Sequence, residues 1–259
     1  MIDKLSIIPH SQMDISQRTI GSLVAEDFRR ASVFKRHGID FCCAGGRTLE
    51  TACKKRGVSV NDVLVEFELA EKGRKGEAIR ADKLDVGVLA DYIVNHHHNY
   101  VRESVPGLRE MTEKVARVHG AGNPDLVSIS VQFREIALEL EQHMAKEEGI
   151  LFPYVKELEK HEQSGRSLTP PMFGTVRNPI RMMEQEHESA GSIMRGIRKL
   201  TNDYTPPEHA CNTYRAAYTL LEEFEDDLHQ HIHLENNILF PKATELEERL
   251  LTEHQACSL

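Results

Sequence analysis

The stretch DLHQHIHLENNILFP, residues Asp227–Pro241, places His231 and Glu235 four positions apart in a segment with helical patterning. Residues four apart on an α-helix lie on the same face, with their β-carbons roughly 6 Å apart. One imidazole and one carboxylate would therefore point in the same direction, as two ligands of one metal ion must. The stretch predicts a helix that carries a pair of metal ligands.

A second copy of this stretch lies earlier in the chain. The segment QHMAKEEGILFPYVKELE begins at Gln142, and QHIHLENNILFPKATELE begins at Gln230. At a constant offset the copies share Gln, His, Glu, the block Ile-Leu-Phe-Pro and Glu-Leu-Glu, so that His143 and Glu147 recur as His231 and Glu235. A single His-x-x-x-Glu pair is usually an ordinary surface or packing pair. Two such pairs inside a matched repeat indicate a metal site.

Each copy is preceded by a further histidine at nearly the same distance. His187 precedes the second copy, and the run His96-His97-His98 precedes the first. The apolar residues of the first helix can be assigned to either of two faces. One face would place the side chain of His97 in the core and the other that of His98, so the apolar periodicity does not choose between them. His229 and His233 lie two positions from His231 and are expected to face away from it, toward solvent. Imidazole and carboxylate ligands without thiolate suit iron, manganese or zinc, and two carboxylates placed to bridge favour a dinuclear centre.

The remaining pattern predicts an all-α protein. Four long amphipathic helices, at about 86–118, 126–160, 179–202 and 211–251, indicate an antiparallel four-helix bundle over residues 84–259. The prolines of both Ile-Leu-Phe-Pro blocks predict a bend just past each metal face. Residues 14–72 predict a small helical domain, whose first helix spans about 19–35, and the polar stretch 73–83 predicts a linker.

Composition narrows the classes of function. The net charge is −9 without a compensating Lys/Arg cluster, which argues against nucleic-acid binding. No apolar run is long enough to span a membrane, and the first residues do not resemble a secretory signal. The five cysteines are an odd number without repeating spacing, so a reducing cytoplasm fits better than a secreted disulfide framework.

At these residues the chain resembles the repair-of-iron-centres family of hemerythrin-like di-iron proteins, whose members carry a short Cys-Cys domain before the bundle. The resemblance covers nearly the whole chain from about residue 19. It is carried by GIDFCC at Gly38–Cys43, HNYVRE at His98–Glu103, EQHMAKEEGILFP at Glu141–Pro153, MEQEHESAG at Met183–Gly191 and HIHLENNILFP at His231–Pro241.

The resemblance implies a bridged centre of two iron ions. It makes Glu147 and Glu235 the bridging carboxylates, and it favours His98 over His97. The terminal ligands that it implies are His98, His143, His187 and His231.

The same resemblance implies a cytoplasmic protein that helps repair iron–sulfur clusters damaged by nitrosative or oxidative stress. It would act by donating iron, by binding nitric oxide, or both, and a nitric oxide-reducing activity at the di-iron centre is a further option. Its partners would be damaged iron–sulfur proteins, with nitric oxide or dioxygen as small ligands. The alternative is a hemerythrin-like module that binds, scavenges or senses these gases without turnover. The oligomeric state stays open, with a homodimer among the options.

The adjacent pair Cys42-Cys43 lies in a glycine-containing turn between predicted helices. We expect the two thiols to be exposed, outside the bundle, and to have a redox or client-docking role. The family's usual Cys-Cys-Gly-Gly is here Cys-Cys-Ala-Gly-Gly, with Ala44 in the place of the first glycine.

Overall fold

The computed structural model describes residues 15–72, 80–165, 168–169 and 171–257. Over these residues the chain is helical, as predicted, and the only β-type pairing there is an isolated bridge between Thr19 and Thr48. No helix in these ranges combines the length and the apolar character needed to cross a membrane. The predicted linker falls mostly on residues 73–79, which lie outside the described ranges.

Among the described residues, the helices of the N-terminal part include α1 (Ile20–Glu26), α2 (Arg30–Arg36), α3 (Leu49–Arg56) and α4 (Val60–Lys72). The prediction of one continuous first helix is wrong, because the chain is extended at Asp27 between α1 and α2. The carboxylate of Asp27 accepts hydrogen bonds from the backbone and the guanidinium of Arg29. Such local side-chain bonds compete with the helical backbone ladder.

The bundle follows a short 3₁₀ turn at Ala81–Lys83. Its helices are α5 (Val86–Ile93), α6 (Asn99–His119), α7 (Asp125–Lys146), α8 (Phe152–Ser164), α9 (Arg177–Leu200), α10 (Asn212–Leu234) and α11 (Phe240–Cys257). These helices form the four long helical segments of the bundle: α5 with α6, α7 with α8, α9 alone, and α10 with α11. A π-turn joins the two helices of each pair, at Val94–His98, Glu147–Leu151 and Glu235–Leu239, and α9 is a continuous α-helix.

Two of the three π-turns, at Glu147–Leu151 and Glu235–Leu239, coincide with the Ile-Leu-Phe-Pro blocks, where the sequence predicts bends, and the turn at Val94–His98 was not predicted. The N–H of Phe152 donates to the carbonyl of Glu147, and that of Phe240 donates to the carbonyl of Glu235. Both bonds reach five residues back, which is the π-helical pattern. A proline follows directly in each case, and it has no N–H to continue the α-helical ladder. Each Ile-Leu-Phe-Pro block thus coincides with a wide turn that begins at the repeated glutamate.

Two apolar clusters form the core of the described part of the chain. One joins residues of the N-terminal helices to one half of the bundle, and the other fills the opposite half. In α10 the change from the first cluster to the second falls between Ile232 and Leu234. The predicted metal ligands therefore form a buried polar layer between two apolar clusters.

Candidate metal centre

The six predicted ligands lie together in this polar layer. They form two groups of four, each with ligand atoms within 4.8 Å of one another. One group joins His98 and His231 to both glutamates, and the other joins His143 and His187 to the same glutamates. All six side chains are buried, with at most 2% exposed. The ligands come from all four long helical segments of the bundle.

Glu147 and Glu235 belong to both groups, and the distances show how they are shared. Oε2 of Glu147 lies 3.3 Å from Nε2 of His98 and 3.2 Å from Nε2 of His143. In Glu235, Oε2 lies 3.0 Å from Nε2 of His187, and Oε1 lies 3.1 Å from Nε2 of His231. Each carboxylate therefore contacts one histidine of each group, as bridging ligands would.

Several of these buried atoms lack hydrogen-bond partners within the described chain: Nε2 of His98, both carboxylate oxygens of Glu147, and Oε2 of Glu235. A buried carboxylate without partners costs several kcal/mol, so such atoms normally pair or coordinate a metal. Four imidazoles and two carboxylates form a donor set suited to iron. The residues present therefore fit a bound metal.

The charge state of the carboxylates agrees with this. Burial alone raises the pKa of Glu235, but the neighbouring histidines His231 and His187 outweigh burial and hold the pKa well below its usual range. Burial lowers the pKa of His143, yet the negative charges of Glu147 and Glu235 outweigh burial and raise that pKa to about 9. The layer is thus built around ionised carboxylates.

Three of the four histidines are anchored through their second ring nitrogen. Nδ1–H of His98 donates to Glu148 (2.6 Å), that of His143 to Glu186 (2.9 Å), and that of His187 to Asn236 (2.8 Å). Because each acceptor is a carboxylate or amide oxygen, Nδ1 carries the donated proton and Nε2 is the nitrogen that faces the layer and would bind a metal. Sequence reasoning missed these partners. Glu148 and Asn236 each follow a repeated glutamate, which is the signal that could have found them.

His231 is the exception. Its Nδ1 has no hydrogen-bond partner in the described residues, and the ring of His97 stacks beside it. His97 is itself buried and donates from Nδ1 to Asp227 at 2.9 Å. Both candidates from the histidine run are therefore buried, and His98 is the one whose ring joins the ligand group. The wide turn at Val94–His98 brings both rings inside, which an α-helical period cannot predict.

The Cys42-Cys43 turn lies outside the bundle helices, but it packs against them, and the thiols are less exposed than expected. Cys42 is buried and Cys43 half-buried, both are free thiols, and Sγ of Cys43 lies 3.9 Å from the carbonyl oxygen of His187. Asn237 holds the turn in place by donating to the carbonyls of Phe41 and Cys42.

The packing of the N-terminal part against the bundle also affects two histidines of α10 that were expected to face solvent. His233 is buried, with 1% exposed, against the rings of Phe28 and Phe41. His229 is half-buried and also contacts Phe41. Both face away from the ligand layer, but toward the N-terminal helices and not toward solvent.

Comparison with known proteins agrees with this architecture. Residues 89–243 match the family described as hemerythrin HHE cation binding domain, and residues 16–71 match a domain of unknown function designated ScdA_N. A protein of Yersinia pestis (strain Pestoides F), named iron-sulfur cluster repair protein YtfE, is 37% identical over 232 residues, covering 89% of this chain and 98% of the relative. The chain belongs to the repair-of-iron-centres family. The protein of the same name from Dickeya chrysanthemi (strain Ech1591) is 38% identical with the same coverage of both chains.

Membership in this family confirms the hemerythrin-like bundle with a helical N-terminal domain. It also supports metal binding by the chain, because the matched family is described as cation-binding and the polar layer provides the ligand atoms.

Proposed function

We propose that the buried layer holds two iron ions bridged by Glu147 and Glu235. His98 and His231 would complete the ligands of one ion, and His143 and His187 those of the other. The observation that carries this proposal is the membership of both glutamates in both four-residue groups. A mononuclear site would need only one of these groups.

When bound, the iron pair supplies redox chemistry and open coordination positions for nitric oxide or dioxygen, because the protein provides few ligands per ion. The chain's own residues fix the ligand geometry. Arg102 contacts Glu148 at 2.5 Å, and Lys146 contacts Glu186, so each anchoring carboxylate is itself held by a cation. The apolar clusters on both sides limit the access of water to the layer.

The relatives' printed name indicates a role in iron–sulfur cluster repair, and we propose the same role for this chain. It would act in the cytoplasm on clusters damaged by nitrosative or oxidative stress, with the damaged proteins as clients. Iron donation, nitric oxide binding, or both would accomplish it. Donation is consistent with neutral histidine ligands and shared carboxylates, which hold each ion by few bonds.

A second candidate is gas binding without repair, and the burial of the ligands favours it. With at most 2% of any ligand side chain exposed, a diatomic gas reaches the layer more easily than an iron ion leaves it. Repair by donation therefore requires a local opening of the bundle, whereas gas binding does not. An isotope-labelled iron centre distinguishes the two. Label that appears in a repaired client cluster supports donation, and nitric oxide uptake without label transfer supports gas binding.

The metal assignment has its own test. Purified protein should contain about two irons per chain. Glu147→Gln should lose both, because this carboxylate contacts both groups, whereas His98→Ala should lose mainly one. His96→Ala is the matched control, because this neighbouring histidine is exposed and stacks on Tyr92 outside the layer. Full iron content in Glu147→Gln would contradict the bridged centre.

A further inference from the structure

The turn that carries the two thiols is organised by Asp40. Oδ1 of Asp40 accepts hydrogen bonds from the backbone N–H groups of Cys42 (3.1 Å), Cys43 (2.9 Å) and Ala44 (3.3 Å). Sγ of Cys42 lies 3.3 Å from the same oxygen and 3.9 Å from Sγ of Cys43. One ligand atom from each of Asp40, Cys42 and Cys43 lies within 4.8 Å of the others. Two thiols and a carboxylate thus converge on one small volume.

We propose that Asp40, Cys42 and Cys43 form a separate, mononuclear site for a thiophilic divalent cation such as Fe²⁺, Co²⁺ or Zn²⁺. Binding would replace the two S–H bonds by two metal–sulfur bonds and release two protons to solvent, without any change of oxidation state. The third ligand would be a carboxylate oxygen of Asp40. No group in the buried di-iron layer is shared with this site.

The separation of the two sulfur atoms favours a chelate. Two thiolates bound to one tetrahedral metal at about 2.3 Å each lie about 3.8 Å apart. A disulfide needs about 2.05 Å, and between adjacent residues it is strained. The observed 3.9 Å matches the first value closely. The thiols therefore need little movement to share a cation and considerable movement to form a disulfide.

The site is accessible from a surface pocket of about 540 Å³, which Cys42 and Cys43 line together with Glu184, Glu188 and Asn236. Asn236 is also the acceptor for Nδ1–H of His187, so the pocket wall belongs to the anchoring shell of the buried layer. The two glutamates add negative charge beside the thiols, which attracts cations. The pocket thus places a cation site between solvent and the di-iron layer.

The turn is held at this place by a tight fit. A β-carbon on Gly21 or Gly45 would lie 2.2 Å or 2.1 Å from Oδ1 of Asn237, so both glycines leave space for this side chain. Asn237 belongs to the π-turn that begins at Glu235. The position of the thiols is therefore fixed relative to a bridging carboxylate. As a relay for iron between the buried layer and a client, the site rests on the proposed function; as a metal site, it does not.

Co²⁺ tests the site directly, because thiolate-to-Co²⁺ charge transfer absorbs in the near ultraviolet. Full-length protein with its iron already bound should take up about one further Co²⁺ per chain with this absorption. Cys42→Ser combined with Cys43→Ser should abolish the band and leave the iron content unchanged. Asp40→Asn keeps the acceptor oxygen of the turn but loses the charge, and should weaken Co²⁺ binding about tenfold. Cys53→Ser, at a buried thiol elsewhere, is the control and should keep the band.

Absence of the band in the wild-type protein, or its persistence in the double variant, would overturn the proposal. The relay role is tested separately by adding Zn²⁺ to protein that carries labelled iron. Occupation of the thiols by Zn²⁺ should slow transfer of the label to a client at least several-fold. Normal transfer with Zn²⁺ bound would exclude the relay but not the metal site. Absence of transfer under all conditions would count against the proposed iron donation alone.

Discussion

The imidazole rings of His97 and His231 are stacked, with an interplanar angle of 9° and a distance of 5.8 Å between their centroids. When the two halves of the internal repeat are aligned, His97 of the first half corresponds to Glu186 of the second. Each of them directly precedes a ligating histidine. Glu186 anchors His143, but His97 offers His231 no carboxylate. The two halves of the centre are therefore unequal, and the position formed by His98 and His231 lacks one of its anchors.

For the proposed pair of irons, this inequality predicts different rates of release. Mutation of a hydrogen-bond partner of a ligating histidine typically lowers metal affinity by about 10–100-fold. A chelator should therefore remove iron in two phases, the faster one from the position of His98 and His231. Glu186→Gln removes the charge of the carboxylate that anchors His143 and should speed the slower phase, which brings the two rates closer together. Iron content against time measures both, and single-phase release from the wild type would contradict the prediction.

Loss of a ligating histidine should cost both metal and stability. In His231→Ala, Glu235 would remain fully buried with one partner fewer. Removing one member of a buried charged pair typically costs about 3–5 kcal/mol. We expect a corresponding decrease in the free energy of unfolding, measured by denaturant titration, together with loss of iron. Wild-type stability in this variant would argue that Glu235 is satisfied without the metal centre.

The fit of Asn237 between two glycines predicts a position-specific effect. Gly45→Ala would bring a methyl group to 2.1 Å from Oδ1 of Asn237 and 2.8 Å from the carbonyl oxygen of Phe41. Overpacking of this kind typically costs about 1–3 kcal/mol. Gly46→Ala meets no atom within 4 Å and is the matched control. Thermal unfolding should show a lowered midpoint for the first variant only, and equal midpoints would mean that the turn adjusts freely.

The two adjacent thiols should differ in reactivity in the metal-free protein. The hydrogen bond with Cys43, followed by burial, raises the pKa of the Cys42 thiol well above its usual range. A raised pKa means that the reactive thiolate is scarce at neutral pH and becomes about tenfold more abundant per pH unit below the pKa. Alkylation of Cys42 should therefore be slow at neutral pH and increase steeply with pH.

Because Cys43 influences this pKa, the comparison is made with both thiols present. Mass spectrometry of the alkylated peptide should then find the label on Cys43 first, since Cys43 is half-buried and lines the pocket. Preferential labelling of Cys42 at neutral pH would contradict the assigned order.

The sequence predicts much of this architecture because the metal layer is duplicated. The pairs His143–Glu147 and His231–Glu235 recur in register, so an ordinary helical period is enough to place them. That period does not show which of His97 and His98 points into the core, because a π-turn buries both rings. The burial of His233 was not predictable either, since it depends on packing against Phe28 and Phe41, far away in sequence.

The three π-turns also bear on how such a bundle could arise and be altered. A π-turn is an α-helix with one extra residue, and each residue advances an α-helix by about 100°. Because the wide turn absorbs the extra residue, α8 keeps its orientation relative to α7. Deleting Gly149 would turn Glu147–Leu151 into ordinary helix and leave the apolar side chains of α8 in their cluster, so its effect would fall on the backbone around Glu147. The sequence periods before and after each π-turn therefore differ by one residue, and the metal layer can be altered by insertion and deletion as well as by substitution.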